Sequence, residues 1–314
     1  MKKRIKKKGK KVVKKKVVKR KPVKKKKVDK KKTLKKKTEN ISSKSIKSPA
    51  KKLLQKSRVR IKKEDTNKRV PTGIKKFDKL IEGGFEYDSV NLVAGGSGSG
   101  KTIFAMQFLI DGIKKGEPCL YITFEESKKE FYKNMLGFGW DLSKAESSGK
   151  FTFLEYSPAK LKMMLDEGGG AVESIVIRKK IKRLVIDSIS SFTLLFDDES
   201  EKRQAILSLI DILKKWDNTD LLTLEKDTSK IKNQKVSPSE LQSDSLILLH
   251  YTKIKNKRER FIEILKMRGT NHSKETYEFK IGKKGIEIGN KAGIKGWLSI
   301  PNNMPINTMF LIYF

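Results

Sequence analysis

An α/β fold is predicted for this chain, with a mostly parallel central sheet, helices on both faces and an antiparallel extension near the carboxyl end. Three observations predict it. Short apolar runs alternate with stretches of helical periodicity from Val70 onward. A glycine-rich loop separates one such run from the helix that follows, and the last strands are separated only by turns.

The first ordered pattern is a turn at Pro71-Thr72-Gly73, followed by Ile74, Phe77, Leu80 and Ile81 at helical spacing before Gly83-Gly84 stops the helix. Residues 89–94 form a short apolar run ending in glycines, as a buried parallel strand should. Residues 102–114 carry Ile103, Met106, Ile110 and Ile113 on one helical face, and a strand over 119–124 and a helix over 127–138 come next. Leu184-Val185-Ile186-Asp187 reads as a strand ending in a carboxylate, and residues 201–216 as an amphipathic helix. Strands at 246–251 and 261–267 precede a final pair at 277–281 and 285–288. No internal repeat is visible, so a tandem two-lobed arrangement is not expected.

Charge divides the chain into parts. Residues 1–70 hold 35 Lys and Arg against 4 Asp and Glu, leaving 39 against 32 for the remainder of a chain whose formal net charge is +38. So charged and aromatic-poor a segment cannot bury enough apolar surface to offset chain entropy, so residues 1–69 are expected to be a disordered Lys-rich tail and linker, with one short helix near 51–60. Lysine runs of this kind bind polyphosphate backbones through counterion release, which makes nucleic acid a candidate partner; anionic membrane surfaces and simple solubility are the competing readings. The folded domain is placed at 70–290, and residues 291–314 form a carboxyl-terminal tail without an assigned role.

Cys119 is the only cysteine, which excludes an intrachain disulfide and points to a reducing, cytoplasmic compartment. The basic start is not followed by an apolar stretch of secretory length, and the apolar run at 309–314 is far short of the ~20 residues that span a bilayer.

The strongest chemical signal is Gly95-Gly96-Ser97-Gly98-Ser99-Gly100-Lys101-Thr102, which fits the phosphate-loop pattern and lies between a strand and a helix. Glycines let consecutive N–H groups point at one anionic centre, and the helix presents its positive end to the same phosphates. Lys101 is placed on the β- and γ-phosphates and the Thr102 hydroxyl on Mg²⁺, which makes ATP and Mg²⁺ the expected cofactors. Hydrolysis also needs carboxylates to orient water and support the metal. Asp187 and the pair Glu125-Glu126 both leave strands at the carboxyl edge, where open α/β sheets bind ligands; taken singly, a strand-terminal Asp also suits a turn and adjacent glutamates a solvated face.

These residues resemble a known family. Pro71-Thr72-Gly73, Phe77-Asp78, Gly83-Gly84-Phe85, the phosphate loop, Phe124-Glu125-Glu126-Ser127, Gly139-Trp140-Asp141-Leu142, Ile186-Asp187-Ser188 and Lys266-Met267-Arg268-Gly269-Thr270 are similar to the KaiC-like branch of RecA-like P-loop ATPases. The resemblance implies that Glu125 and Glu126 activate water and that Asp187 serves the metal. It also implies that Lys266 and Arg268 reach across a subunit boundary toward a neighbour's nucleotide, with Thr270 and His272 lining that pocket. It implies a homo-oligomer, a hexamer in the family. From spacing alone Lys266 and Arg268 fit equally an exposed face of an edge strand. Clock proteins of the family carry two lobes and phosphorylated residues in the second, so autophosphorylation is not implied for this single lobe. The Lys/Ser-rich stretch 227–243 departs from the expected strand-helix unit.

His250 reads as a satisfied core or edge histidine rather than a base, and Trp140 and Trp216 as packing residues. Two histidines and one cysteine make no zinc site. The leading function is therefore a ring-forming regulatory or signalling ATPase. The alternatives are a RadA/RecA-type DNA-dependent ATPase, against which stands the absence of a helix-hairpin-helix module, and a nucleotide-switched binding protein without turnover.

Overall fold

The computed structural model describes residues 68–227 and 242–293. The basic amino-terminal segment, including the short helix expected near 51–60, most of 227–243 and the stretch from 294 lie outside the described residues.

A two-stranded ribbon, β1 (Arg69–Val70) with β2 (Phe85–Glu86), precedes the main sheet. Among the described residues that sheet has nine strands. Its parallel part runs β8 (Ser245–Ile254), β3 (Val90–Gly95), β7 (Thr219–Glu225), β6 (Arg183–Asp187), β4 (Cys119–Thr123) and β5 (Phe151–Glu155). Antiparallel strands β9 (Lys257–Met267), β10 (Tyr277–Gly282) and β11 (Gly285–Lys291) extend it beyond β8. The architecture is the predicted α/β fold, parallel at its centre and antiparallel toward its carboxyl end.

Strand periodicity divides the core in two. Val93, Val185, Leu221 and Ile247 face α1 (Lys75–Leu80), α2 (Lys101–Lys114), α3 (Lys128–Leu136) and α4 (Leu142–Ser147). Their neighbours Leu92, Leu184, Leu222 and Leu246 face α5 (Pro158–Asp166), α6 (Gly170–Lys179), α7 (Ile189–Thr193) and α8 (Glu199–Leu213). Local chemistry starts these helices. Ser127 accepts from the Glu130 amide at the start of α3 while its hydroxyl donates to the Glu130 carboxylate, Ser157 precedes Pro158 at α5, and Asp198 accepts two amides at α8. The predicted helix at 201–216 ends at Leu213, and Trp216 packs beyond it in the core, as Trp140 does on the opposite face.

Strands β5 and β7 and helices α5 and α6 were not legible from periodicity. In β7 the reason is chemical: Thr219, Asp220 and Thr223 are polar yet buried in a strand at the sheet centre. Burial pushes the Asp220 carboxyl well above the usual carboxylate range, and the Asn218 amide donates to it.

Near the amino-terminal edge of the sheet, Arg183 is 1% exposed and ties three segments together. It donates to Glu117 (2.6 Å) and Asp111 (3.0 Å), and to the carbonyls of Pro71 (2.7 Å) and Phe108 (2.8 Å), while its guanidinium lies over the Phe108 ring. Removing it takes a donor from two carboxylates and two carbonyls at once, although Asp111 keeps its ion pair with Lys115 (2.6 Å). Arg183→Met is expected to lower stability by about 3 kcal/mol, the lower end for a broken buried ion pair because both carboxylates retain some solvent. Urea unfolding measures this, and an unchanged midpoint would show that the clamp contributes nothing.

Candidate nucleotide-binding site

Parallel register brings the chemistry to one edge. Gly95 pairs with Glu225 and Leu249, and Thr123 with Asp187, so the phosphate loop, Asp187 and the turn carrying Glu125 and Glu126 all leave the sheet on its carboxyl side. The loop turns back through Ser99 N–H donating to the Gly96 carbonyl (3.2 Å). Gly98 and Gly100 adopt φ of 71° and 105°, a left-handed backbone that disfavours any side chain. A Cβ on Gly100 would also stand 2.9 Å from the Ile281 side chain of β10. Gly100 caps α2 with no side-chain acceptor, so the first turn begins with amides that no cap occupies. Ser97 and Gly98 are exposed and Ser99 is buried.

The Lys101 ammonium donates to the Gly95 carbonyl (2.8 Å), the Gly96 carbonyl (3.0 Å) and Glu225 Oε2 (3.0 Å). Thr102 Oγ donates to Asp187 Oδ2 (2.7 Å). Tyr121 donates to the same oxygen (2.8 Å), and Thr223 Oγ donates to Asp187 Oδ1. Burial, and then the adjacent Asp187 charge, raise the Tyr121 phenol well above its ordinary value, so it stays a donor. The hydroxyl of Thr102 and the carboxylate of Asp187 are hard oxygen donors in contact, the pairing that Mg²⁺ accepts together with phosphate oxygens. Among the described residues no group of three or more His, Cys, Asp or Glu could hold a metal ion.

Glu125 and Glu126 sit differently. Glu125 Oε1 accepts from Ser191 Oγ (2.6 Å) on α7, the helix that follows Asp187. Glu126 has its carboxyl raised above the ordinary 4.5, by burial first and by the Asp187 charge second, with an Asn134 hydrogen bond opposing. A carboxyl so placed is a better base than a solvated glutamate.

Lys266, Arg268, Thr270 and His272 are not brought to this edge. Met267 pairs with Ser245, and Ser245 with Asn91 at the beginning of β3, so they lie at the amino-terminal edge, across the sheet from the phosphate loop of the same chain. There Lys266 donates to the Ser243 carbonyl (2.6 Å) and Arg268 to Asp244 Oδ1 (3.2 Å). Thr270 Oγ accepts from Arg69 (2.6 Å), and the His272 Nδ1–H donates to the Ser273 carbonyl (2.9 Å). Burial, then Arg268, lower the Lys266 ammonium from its ordinary value. His250 is buried and 3.0 Å from Glu263, a histidine with its partner in the fold.

Several site residues were not foreseen. Arg260 of β9 donates from two nitrogens to the Gly98 carbonyl (3.1 and 3.0 Å), and its guanidinium lies 4.2 Å from the Tyr251 ring centroid, so the two side chains wall the loop. Ser190 Oγ accepts from the Glu225 amide (2.7 Å). Of these residues only Tyr251 fell within a strand read from the sequence, at 246–251; Arg260 and Ser190 carried no such signal. A cavity of about 450 Å³ lies elsewhere, lined by Gln107, Trp140 and Ile286 beside the carboxyl-terminal half of α2.

The pattern that describes the KaiC family of ATPases matches residues 70–293. The chain belongs to that family. The circadian clock protein KaiC3 of Synechocystis sp. is 36% identical over 232 residues, which cover 71% of this chain and 46% of that protein. A circadian clock oscillator protein KaiC of Prochlorococcus marinus subsp. pastoris is 37% identical over 229 residues, 70% of this chain and 45% of that protein. The chain thus spans less than half the length of these curated relatives. A crystal structure of a KaiC-like protein from Pyrococcus horikoshii superposes with a TM-score of 0.64 at 35% identity, covering 71% of this chain and 99% of that one. A KaiC-family ATPase of this kind implies ATP and usually Mg²⁺. No helix among the described residues is long and apolar enough to cross a membrane.

Replacing Glu125 and Glu126 together by Gln is expected to preserve nucleotide binding while turnover falls by at least ~10²-fold, the scale of lost general-base help. Steady-state hydrolysis beside equilibrium binding separates the two, and undiminished turnover would remove the pair from the chemistry.

Proposed function

We propose that this chain binds and hydrolyses ATP with Mg²⁺ as a KaiC-family regulatory or signalling ATPase and works as a ring of identical subunits. The observation that carries the reading is the Thr102–Asp187 contact (2.7 Å) beside a phosphate loop whose lysine is already in place. Bound Mg²⁺ supplies charge neutralisation at the phosphates. Lys101 and the loop amides hold the β- and γ-phosphates, Thr102 and Asp187 hold the metal, and Glu126, with Glu125 braced by Ser191, orients and deprotonates the attacking water.

The position of Arg268 supports the ring. Arg268 offers a planar fork of donors suited to charge on a γ-phosphate, but it stands across the sheet from its own phosphate loop. In the proposed assembly each subunit extends Lys266 and Arg268 to the next subunit's nucleotide, where Thr270 and His272 complete the wall. The folded domain is taken as residues 70–290 and the compartment as the cytoplasm. The basic segment 1–69, with most of the chain's net charge, tethers the ring to nucleic acid.

Two experiments test this. Lys101→Ala is expected to abolish ATP binding and Arg268→Ala to abolish turnover, while a mixture of the two variants regains part of it, because Arg268 of a Lys101→Ala subunit can serve an intact phosphate loop. Hydrolysis assays on each variant and on the mixture read this; an inactive mixture whose assembly is intact by mass measurement refutes the shared site. Deleting residues 1–69 is expected to weaken DNA or RNA binding and flatten its dependence on salt while ATP turnover persists, as read by binding titrations across a salt series. A salt slope that survives the deletion refutes the tether.

A further inference from the structure

We infer that Glu225 is a built-in competitor for the phosphate-loop lysine, one that tunes how tightly the site takes any nucleotide with a β-phosphate. The inference rests on the nucleotide-binding reading above and concerns a residue outside the phosphate-loop motif.

An ammonium has three donors and no more. All three of Lys101's are used, on the Gly95 carbonyl, the Gly96 carbonyl and Glu225 Oε2, and the side chain is only 10% exposed. Two of these acceptors belong to the fold of the loop. The Gly95 carbonyl also accepts from the Lys226 amide (3.1 Å), and the Gly96 carbonyl from Ser99 (3.2 Å). Neither can turn away without unmaking the loop.

The third acceptor can leave. The backbone of Glu225 is fixed, through its register opposite Gly95 and its amide bonded to Ser190 Oγ, but its side chain is 53% exposed. A phosphate oxygen arriving at Lys101 carries the same sign of charge as the carboxylate, so the two cannot share the ammonium. Binding therefore exchanges one charge-assisted hydrogen bond for another and releases the carboxylate to water. While no nucleotide is bound, the same contact keeps a nearly buried ammonium paired and pointed into the loop.

The consequence is selective. Every ligand that reaches Lys101 must displace Glu225, so ATP and ADP are both weakened by the strength of that contact. AMP ends short of the lysine and is indifferent to it. A half-exposed ion pair of this kind corresponds to a difference of roughly two- to fivefold in dissociation constant.

The test is calorimetric titration of the full-length protein with ATP, ADP and AMP, comparing the unsubstituted chain with Glu225→Gln and with Glu225→Asp, which withdraws the carboxylate by one methylene. Both variants are expected to bind ATP and ADP about two- to fivefold more tightly and AMP unchanged. Unchanged or weaker ATP binding in both variants overturns the inference, as does an equal tightening of AMP, which would mark a general structural effect. Failure of the underlying reading looks different: the unsubstituted chain itself would not bind ATP, or would bind it regardless of Lys101→Ala.

Discussion

Parallel pairing of β3, β7, β6 and β4 is the constraint on which the candidate site depends. With these strands aligned in one direction, the residues that end them emerge together: Gly95 with Glu225, and Thr123 with Asp187. The register is held by continuous apolar faces above and below, because a slip by one residue would exchange the side chains buried against the two helical layers. The chemistry thus inherits its precision from packing. Thr102 meets Asp187 because α2 starts where β3 stops, and Ser191 meets Glu125 because α7 starts one residue after Asp187 and its peptide partner Ser188.

Two nearly buried cations show how the fold treats charge it cannot hydrate. Arg183 is held by two carboxylates and two carbonyls at one end of the sheet, with four of its five N–H donors engaged by partners that belong to the framework. Lys101 is held by two carbonyls and one mobile carboxylate at the other end. Only the second has a partner that can be replaced at small cost, since a half-exposed glutamate regains its hydration when it leaves. The first arrangement suits a clamp and the second a ligand site.

The parts of the site legible in the sequence were those encoded contiguously. The phosphate loop is eight consecutive residues, Asp187 ends an unbroken apolar run, and Glu125-Glu126 follow another. Their meeting at one edge followed from the alternation of strands and helices. What escaped was encoded across the chain. Glu225 ends a strand whose buried Thr219, Asp220 and Thr223 disguise it as polar, and without β7 there was no reason to place that carboxylate beside Lys101. Arg260 and Tyr251 lie on β9 and β8, and only the antiparallel register between those strands sets one against the other at Gly98. Local pattern reports what a segment buries; it carries no record of which other segment arrives to cover it.

In the proposed assembly, the placement of Arg268 and the phosphate loop on opposite edges of one sheet also bears on symmetry. A two-fold pair would make the two contacts reciprocal, each Arg268 reaching the other subunit's loop through one shared interface, and would stop at two copies. A head-to-tail contact between the unlike edges instead leaves an unused donor at one end and an unused acceptor at the other. Such a chain of subunits has no natural stopping number other than closure on itself, so the rotation between successive copies alone decides between a finite circle and an endless helix.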